Sequence, residues 1–262
     1  MKRWILYFCM MAGATSCSRY PADVEKALKL AGENRAELEN VLAYYSRCAE
    51  DRLKLKSAYF LIAHMPYHYT LHDPEIEAFK LYLAETDDKE KAWDNFKNTY
   101  EPTTAAIRIE QDVEHVTAEF LIRHIDFSFK VWQESPWGQY LSFDDFCEEI
   151  LPYRLDNEPL ENWKEEYYAA FRPVIDTMAQ NNNLQAVFFQ LLEHIQEQGW
   201  SWESNFNGNG LGASMLLHKR FGNCKEQAEF ITYMFRSVGI PAGIEMVIQN
   251  PDDYFVRQHI WN

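Results

Sequence analysis

Two residues near the end of this 262-residue sequence, Cys224 and His259, are of the types that nucleophilic catalysis needs. A thiol attacks a carbonyl once it is ionised, and an imidazole takes up and returns a proton near neutral pH. Cys224 follows Gly222-Asn223, and Glu226 stands three residues beyond Asn223. Asn is a favoured helix N-cap and a Glu at that spacing completes a capping box, so Cys224 is predicted in the first turn of a helix. The unpaired amides and positive dipole end of such a turn favour thiolate over thiol, and the thiolate is the nucleophile.

The elements that must position the pair follow from the flanking pattern. After Cys224, Ala228, Ile231, Phe235 and Val238 form one stripe with Phe230 and Met234 beside it, which predicts a largely buried helix. Gly239 and Pro241 end it. Ala242 to Ile248 is rich in branched residues and reads as a strand, Asn250-Pro251-Asp252-Asp253 as a turn, and Tyr254 to Trp261 as a returning strand. In that second strand Phe255, Arg257, His259 and Trp261 share a face by two-residue alternation. A Cys at a buried helix start and a His on a neighbouring antiparallel strand make the nucleophile and base of a cysteine acyl-transfer site.

Four features together resemble the transglutaminase-like superfamily, whose fold is related to papain: Gly222-x-Cys224, the apolar helix, the run Arg236-Ser237-Val238-Gly239-Ile240-Pro241-Ala242, and His259-x-Trp261-Asn262. The resemblance covers roughly the last quarter of the chain. It implies Cys224 as nucleophile, His259 as general base and acid, and no metal or organic cofactor. It also implies a third residue, usually Asp, on the strand after the His; the sequence stops at Asn262 before that position, so the family pattern is expected to be cut short. In a papain-like site the oxyanion is held by the nucleophile's own amide and a donor from upstream. By position, Trp202 and Asn205 in the stretch Gly199 to Gly212 are candidates for that donor, and a plain connecting loop is the competing reading.

At the other end, Lys2 and Arg3 precede the short apolar run Trp4 to Ala12, followed by Gly13-Ala14-Thr15-Ser16 and Cys17. That is the pattern of a secretory signal peptide. Ala14-Thr15-Ser16-Cys17 also resembles a bacterial lipobox, which implies a lipid on Cys17, export, and anchoring on the periplasmic side or cell surface. An ordinary cleavage site is the alternative. Of five cysteines, Cys9 would leave with the signal and Cys17 would carry the lipid, leaving Cys48, Cys147 and Cys224. An odd count in an oxidising compartment points to one free thiol, assigned to Cys224, with Cys48 and Cys147 either a disulfide or two buried thiols.

The net charge of −15 and the absence of a basic cluster beyond the signal exclude nucleic acid as a partner. Residues 22 to about 198 are read as helical: Ala22 to Tyr45 as two helices or one bent at Gly32, Leu53 to Met65 stopped by Pro66, Pro74 to Ala84, Asp87 to Phe96, a longer helix through Ile109, Val113, Val116 and Phe120 to Ile125, Phe143 to Leu151, Leu160 to Met178 across Pro173, and Leu184 to Gln196. Ser142 to Arg154 resembles, less specifically, the helical region before transglutaminase-like domains in some large exported bacterial proteins.

Other constellations carry less. His64, His68 and His72 fall at four-residue steps, yet Pro66 breaks the helix that would align them as metal ligands. His115 and His124 lie on different faces. Asp144, Asp145, Glu148 and Glu149 read as a solvated helix face, and Trp132, Trp137 and Trp163 as core rather than a sugar platform. The expected fold is α+β and predominantly α: a signal peptide at 1–16, a helical region at 17–198, and a partial transglutaminase-like domain at 199–262. The expected activity is acyl transfer at a peptide or glycopeptide amide, with water or an amine resolving the thioester. The other class is an anchored helical binding or assembly protein with an incomplete transglutaminase-like remnant.

Overall fold

The computed structural model describes residues 19–178, 183–204, 206, 210–249 and 257–261; the signal segment and Cys17 lie outside these. Gly32 divides the first helical stretch as its sequence suggested, since it takes φ +55°, a conformation glycine adopts without a Cβ penalty. On either side α1 (Ala22–Leu30) buries Val24, Ala27 and Leu28, and α2 (Arg35–Tyr45) buries Leu38, Val41, Leu42 and Tyr45. α3 (Arg52–His64) gives way to a 3-10 turn that contains Pro66. After β1 (Tyr69–His72) come α4 (Pro74–Glu85) and α5 (Lys89–Thr99), whose N-caps Asp73 and Asp88 accept backbone N–H groups of the first turn.

The long helix expected from Ile109 to Ile125 is not formed. Residues Arg108–Gln111 are a strand, β2, paired antiparallel with β1 so that Ile109 stands opposite Leu71. A single helical turn α6 (Asp112–His115) follows, Val116 returns to extended backbone, and Thr117 starts α7 (Ala118–Glu134) by accepting the Phe120 N–H at 3.2 Å. The apolar residues were spaced like one helix, but strand pairing and the Thr117 cap divide them, leaving Ile109 57% exposed.

α8 (Phe143–Glu149) opens with a capping box in which Ser142 and Asp145 exchange hydrogen bonds. The Ser142 hydroxyl and amide hold the Asp145 carboxyl below its usual range, so one of the paired carboxylates serves the helix end. α9 (Trp163–Met178) runs through Pro173, and α10 (Leu184–Gln198) is capped by Asn183. The remaining elements are β3 (Ser201–Trp202), α11 (Ala213–Lys219), β4 (Phe221–Gly222), α12 (Cys224–Ser237), β5 (Glu245–Gln249) and β6 (Arg257–Trp261). β5 starts three residues after the predicted Ala242, and the predicted turn Asn250 to Asp253 lies outside the described residues. Among the described residues the strands form three two-stranded sheets: β1–β2 and β5–β6 antiparallel, β3–β4 parallel. The fold is α+β and predominantly α.

Two apolar cores fill it. One gathers α1, α2, α3, α7 and α8 around Leu28, Val41, Ile62, Leu121, Ile125 and Phe146. The other packs α4, α5, α9 and α10 with α11 and α12 around Phe79, Trp163, Tyr167, Leu191, Phe230 and Tyr233. The segment from Tyr153 to Glu158 joins them through buried polar bonds. Arg154 and Asp112, both 1% exposed, pair at 2.7 Å, Arg154 also donates to Thr70 and to the Glu158 carbonyl, and the Glu158 carboxyl accepts the Tyr233 hydroxyl at 2.6 Å. Buried charges persist only when paired and hydrogen-bonded in this way.

Candidate active site

Cys224 is the first residue of α12 and half-buried. The turn that delivers it is interlocked. Gly222 has φ +132°, and a Cβ there would lie 2.6 Å from the Glu226 Cβ and 2.8 Å from its Oε2. Asn223 Oδ1 accepts the Lys225 N–H at 2.8 Å, while Glu226 Oε2 accepts the Asn223 N–H at 2.9 Å, completing the predicted capping box. Asn223 Nδ2 donates to the Phe206 carbonyl at 2.6 Å, fixing the cap against the preceding loop. None of these bonds engages the Cys224 N–H. At the far end Gly239 takes φ +82°, the Ile240 N–H reaches the Phe235 carbonyl at 2.9 Å, and Arg236 Nε donates to the Ala242 carbonyl at 2.8 Å. The stop therefore uses the glycine that the sequence placed there.

One residue beyond the thiol, Lys225 joins Asp156 at 2.7 Å and Glu229 at 3.3 Å. Glu229 is fully buried, and burial pushes its carboxyl up to about 8 against the opposing pull of Lys225. Burial works against the Lys225 ammonium in turn, but Glu229 and Asp156 more than offset it and its pKa is raised. Burial also raises Glu226. Sequence reasoning passed over this cluster: Lys225 and Glu229 stand at helical i,i+4 spacing and were legible as a pair, whereas Asp156 arrives from a distant loop.

β3 and β4 set Trp202 opposite Gly222, with the Glu203 N–H donating to the Gly222 carbonyl at 3.1 Å and Trp200 Nε1 donating to that same oxygen at 3.1 Å. Trp202 is 56% exposed. Asn205, the other oxyanion candidate, lies outside the described residues. His259 is on β6, opposite Val247 of β5, and β6 lies against α12. The backbone thus brings the His259 strand to the Cys224 helix; the side-chain pairing itself falls outside what the structure describes.

The remaining sequence candidates separate. His64 Nδ1 bonds the Phe60 carbonyl at 2.8 Å within α3, His68 is beside Tyr153 with its pKa pushed down by burial, and His72 faces Glu110 at 3.6 Å from β1. Among the described residues no His, Cys, Asp and Glu converge as a metal-ligand group. His124 is buried and bonds the Leu151 carbonyl at 2.6 Å, while His115 is exposed on α6. Trp137 and Trp163 are core residues, and Trp132 is half-buried. Cys48 is exposed and Cys147 buried, both as free thiols, so they form neither a disulfide nor a pair of buried thiols; burial pushes the Cys147 thiol up to about 12.

Comparison with known families gives one match: residues 176–262 fit the transglutaminase-like superfamily. No curated protein and no solved structure was found to match the chain. The matched segment begins in the last turn of α9 and takes in α10, α11, the capped Cys224 helix and the β5–β6 pair. Residues 176–262 of this chain, the third that carries Cys224 and His259, belong to the transglutaminase-like superfamily.

Proposed function

We propose that the chain is a cysteine-dependent amide hydrolase or acyl transferase, exported and held at a bacterial membrane by a lipid on Cys17. The observation that carries the catalytic reading is Cys224 at the capped first turn of a buried helix, inside the matched segment, with the His259 strand against that helix. The Cys224 thiolate attacks the carbonyl carbon of a peptide or glycopeptide amide. The Cys224 N–H, which the cap leaves unengaged, donates to the developing oxyanion, with Trp202 or Asn205 as the second donor. The carbon–nitrogen bond breaks as the His259 imidazolium gives its proton to the leaving amine, leaving a thioester. His259 then deprotonates water, which attacks the thioester and releases acid and thiolate; an amine in place of water forms a new amide. Export rests on the signal-like start Met1 to Ser16.

The test is release of amine or ammonia from a panel of peptide and muropeptide amides by the full chain. Cys224→Ala is expected to abolish turnover, and His259→Ala to lower it by about 10²- to 10⁴-fold. Turnover that survives Cys224→Ala would remove the assignment. Metabolic labelling with a palmitate analogue, lost in Cys17→Ser, tests the anchor.

A further inference from the structure

The turn between α4 and α5 and the end of α11 gather three cations in a chain whose net charge is −15. Lys219 Nζ donates to the Thr86 carbonyl at 3.1 Å and pairs with Asp87 at 3.3 Å, which ties the two stretches together. Lys89 opens α5 two residues after Asp87, and Arg220 follows Lys219 as the C-cap of α11. Arg220 takes φ +47° and ψ +60°, the one left-handed residue other than glycine among the described residues. Glycine is the usual occupant of such a helix end, so the sequence keeps a guanidinium there at a cost in backbone strain, and strain of this kind concentrates at functional sites.

The side chains of Arg220 and Lys89 are half-buried and make no hydrogen bond or ion pair among the described residues. The Arg220 guanidinium lies over the Phe230 ring at 5.6 Å with only its Nε enclosed, so its terminal nitrogens stay open to a ligand. Burial lowers the Arg220 pKa with no carboxylate opposing it, and burial together with the Arg220 and Lys219 charges lowers Lys89 against the pull of Asp87. Like charges held together without counterions are unfavourable until an anion joins them. The acids of the turn are already engaged: Asp87 is fully exposed and paired with Lys219, and Asp88 accepts the Lys91 N–H at 3.0 Å as the α5 cap. A carboxylate would match one of the two free cations. A phosphomonoester carries about −1.5 to −2 near neutral pH and offers three acceptor oxygens, enough for the Arg220 fork and the Lys89 ammonium at once. We infer that this notch binds a phosphate group. Soluble phosphomonoesters and anionic lipid headgroups share that chemistry, and the experiment separates them. The notch uses neither Cys224 nor His259, so its occupancy is read without turnover.

Calorimetric titration of the full chain at low ionic strength with inorganic phosphate, and with acetate as the monoanion control, tests this. Phosphate is expected to bind with a dissociation constant of about 1 mM or below and at least about tenfold more tightly than acetate. Arg220→Gln and Lys89→Gln are each expected to weaken phosphate binding about tenfold or more, the value of one lost charge-assisted hydrogen bond in affinity. Lys89→Gln breaks no hydrogen bond or ion pair among the described residues, so it keeps the fold, and circular dichroism checks both variants. Cys224→Ala should bind like the parent chain, so the outcome is separable from the catalytic proposal. Flotation of the Cys17→Ser chain with phosphatidic acid vesicles, against phosphatidylcholine alone, assigns the source: co-flotation lost in Arg220→Gln means a lipid headgroup, and phosphate binding without co-flotation means a soluble monoester. No phosphate binding, acetate binding as tight as phosphate, or unchanged affinity in both variants would overturn the inference.

Discussion

Gly222→Ala probes the turn that delivers Cys224. A non-glycine residue at φ +132° carries backbone strain of about 1–3 kcal/mol. The added methyl would also lie 2.6 Å from Cβ and 2.7 Å from Cγ of Glu226, closer than carbons approach, so Glu226 must shift. That shift breaks the 2.9 Å bond to the Asn223 N–H and undoes the capping box, a loss of about 0.5–2 kcal/mol. Together the cost is about 1.5–5 kcal/mol, a large part of the about 5–15 kcal/mol that stabilises a typical domain. Urea denaturation followed by circular dichroism should show the lower midpoint with an unchanged slope. Glu226→Gln keeps an acceptor for the Asn223 N–H and should cost less than Gly222→Ala. A Gly222→Ala chain within about 0.5 kcal/mol of the parent would refute the interlocked-turn reasoning.

Three further outcomes follow from buried charges. Lys164 is fully buried, donates to Ser128 Oγ at 2.8 Å and to the Ile150 carbonyl, and burial lowers its pKa well below the ordinary lysine value; between the lowered and the ordinary value the unfolded chain binds a proton that the folded one does not, so stability should rise with pH across that window by up to about 1.4 kcal/mol per unit, and Lys164→Met should remove that slope. Glu229 has the opposite sign: its folded pKa of about 8 stands above that of an unfolded carboxyl, so its contribution is full at low pH and is lost as pH rises toward 8, and Glu229→Gln should flatten that part of the stability profile. Asp112→Ala should cost about 3–5 kcal/mol by leaving Arg154 buried without its carboxylate, and a loss below about 1 kcal/mol in urea titration would mean the pair does not join the two cores.

What was legible in the sequence was local. The Asn223–Glu226 capping box, the Gly239 stop and the Gly32 break are each written within a few residues, because a cap or a positive φ needs particular side chains at fixed offsets. Non-local pairing was not legible. Ile109, Val113, Val116 and Phe120 kept helical spacing, yet β2 forms because β1 (Tyr69–His72), on the far side of α4 and α5 in the sequence, offers it a partner. The same limit hid Asp156 beside Lys225 and the parallel pairing that brings Trp202 opposite Gly222.

The claim that Cys224 is a nucleophile meets its most direct test in site-resolved iodoacetamide labelling at pH 6, with exposed Cys48 as the internal reference and buried Cys147 as the unreactive one. Alkylation goes through the thiolate, so the labelling rate at pH 6 reports how far each accessible thiol is ionised. The account predicts that Cys224 labels faster than Cys48 in the parent chain and loses that advantage in His259→Ala. Labelling of Cys224 no faster than Cys48, and the same in both chains, would contradict it.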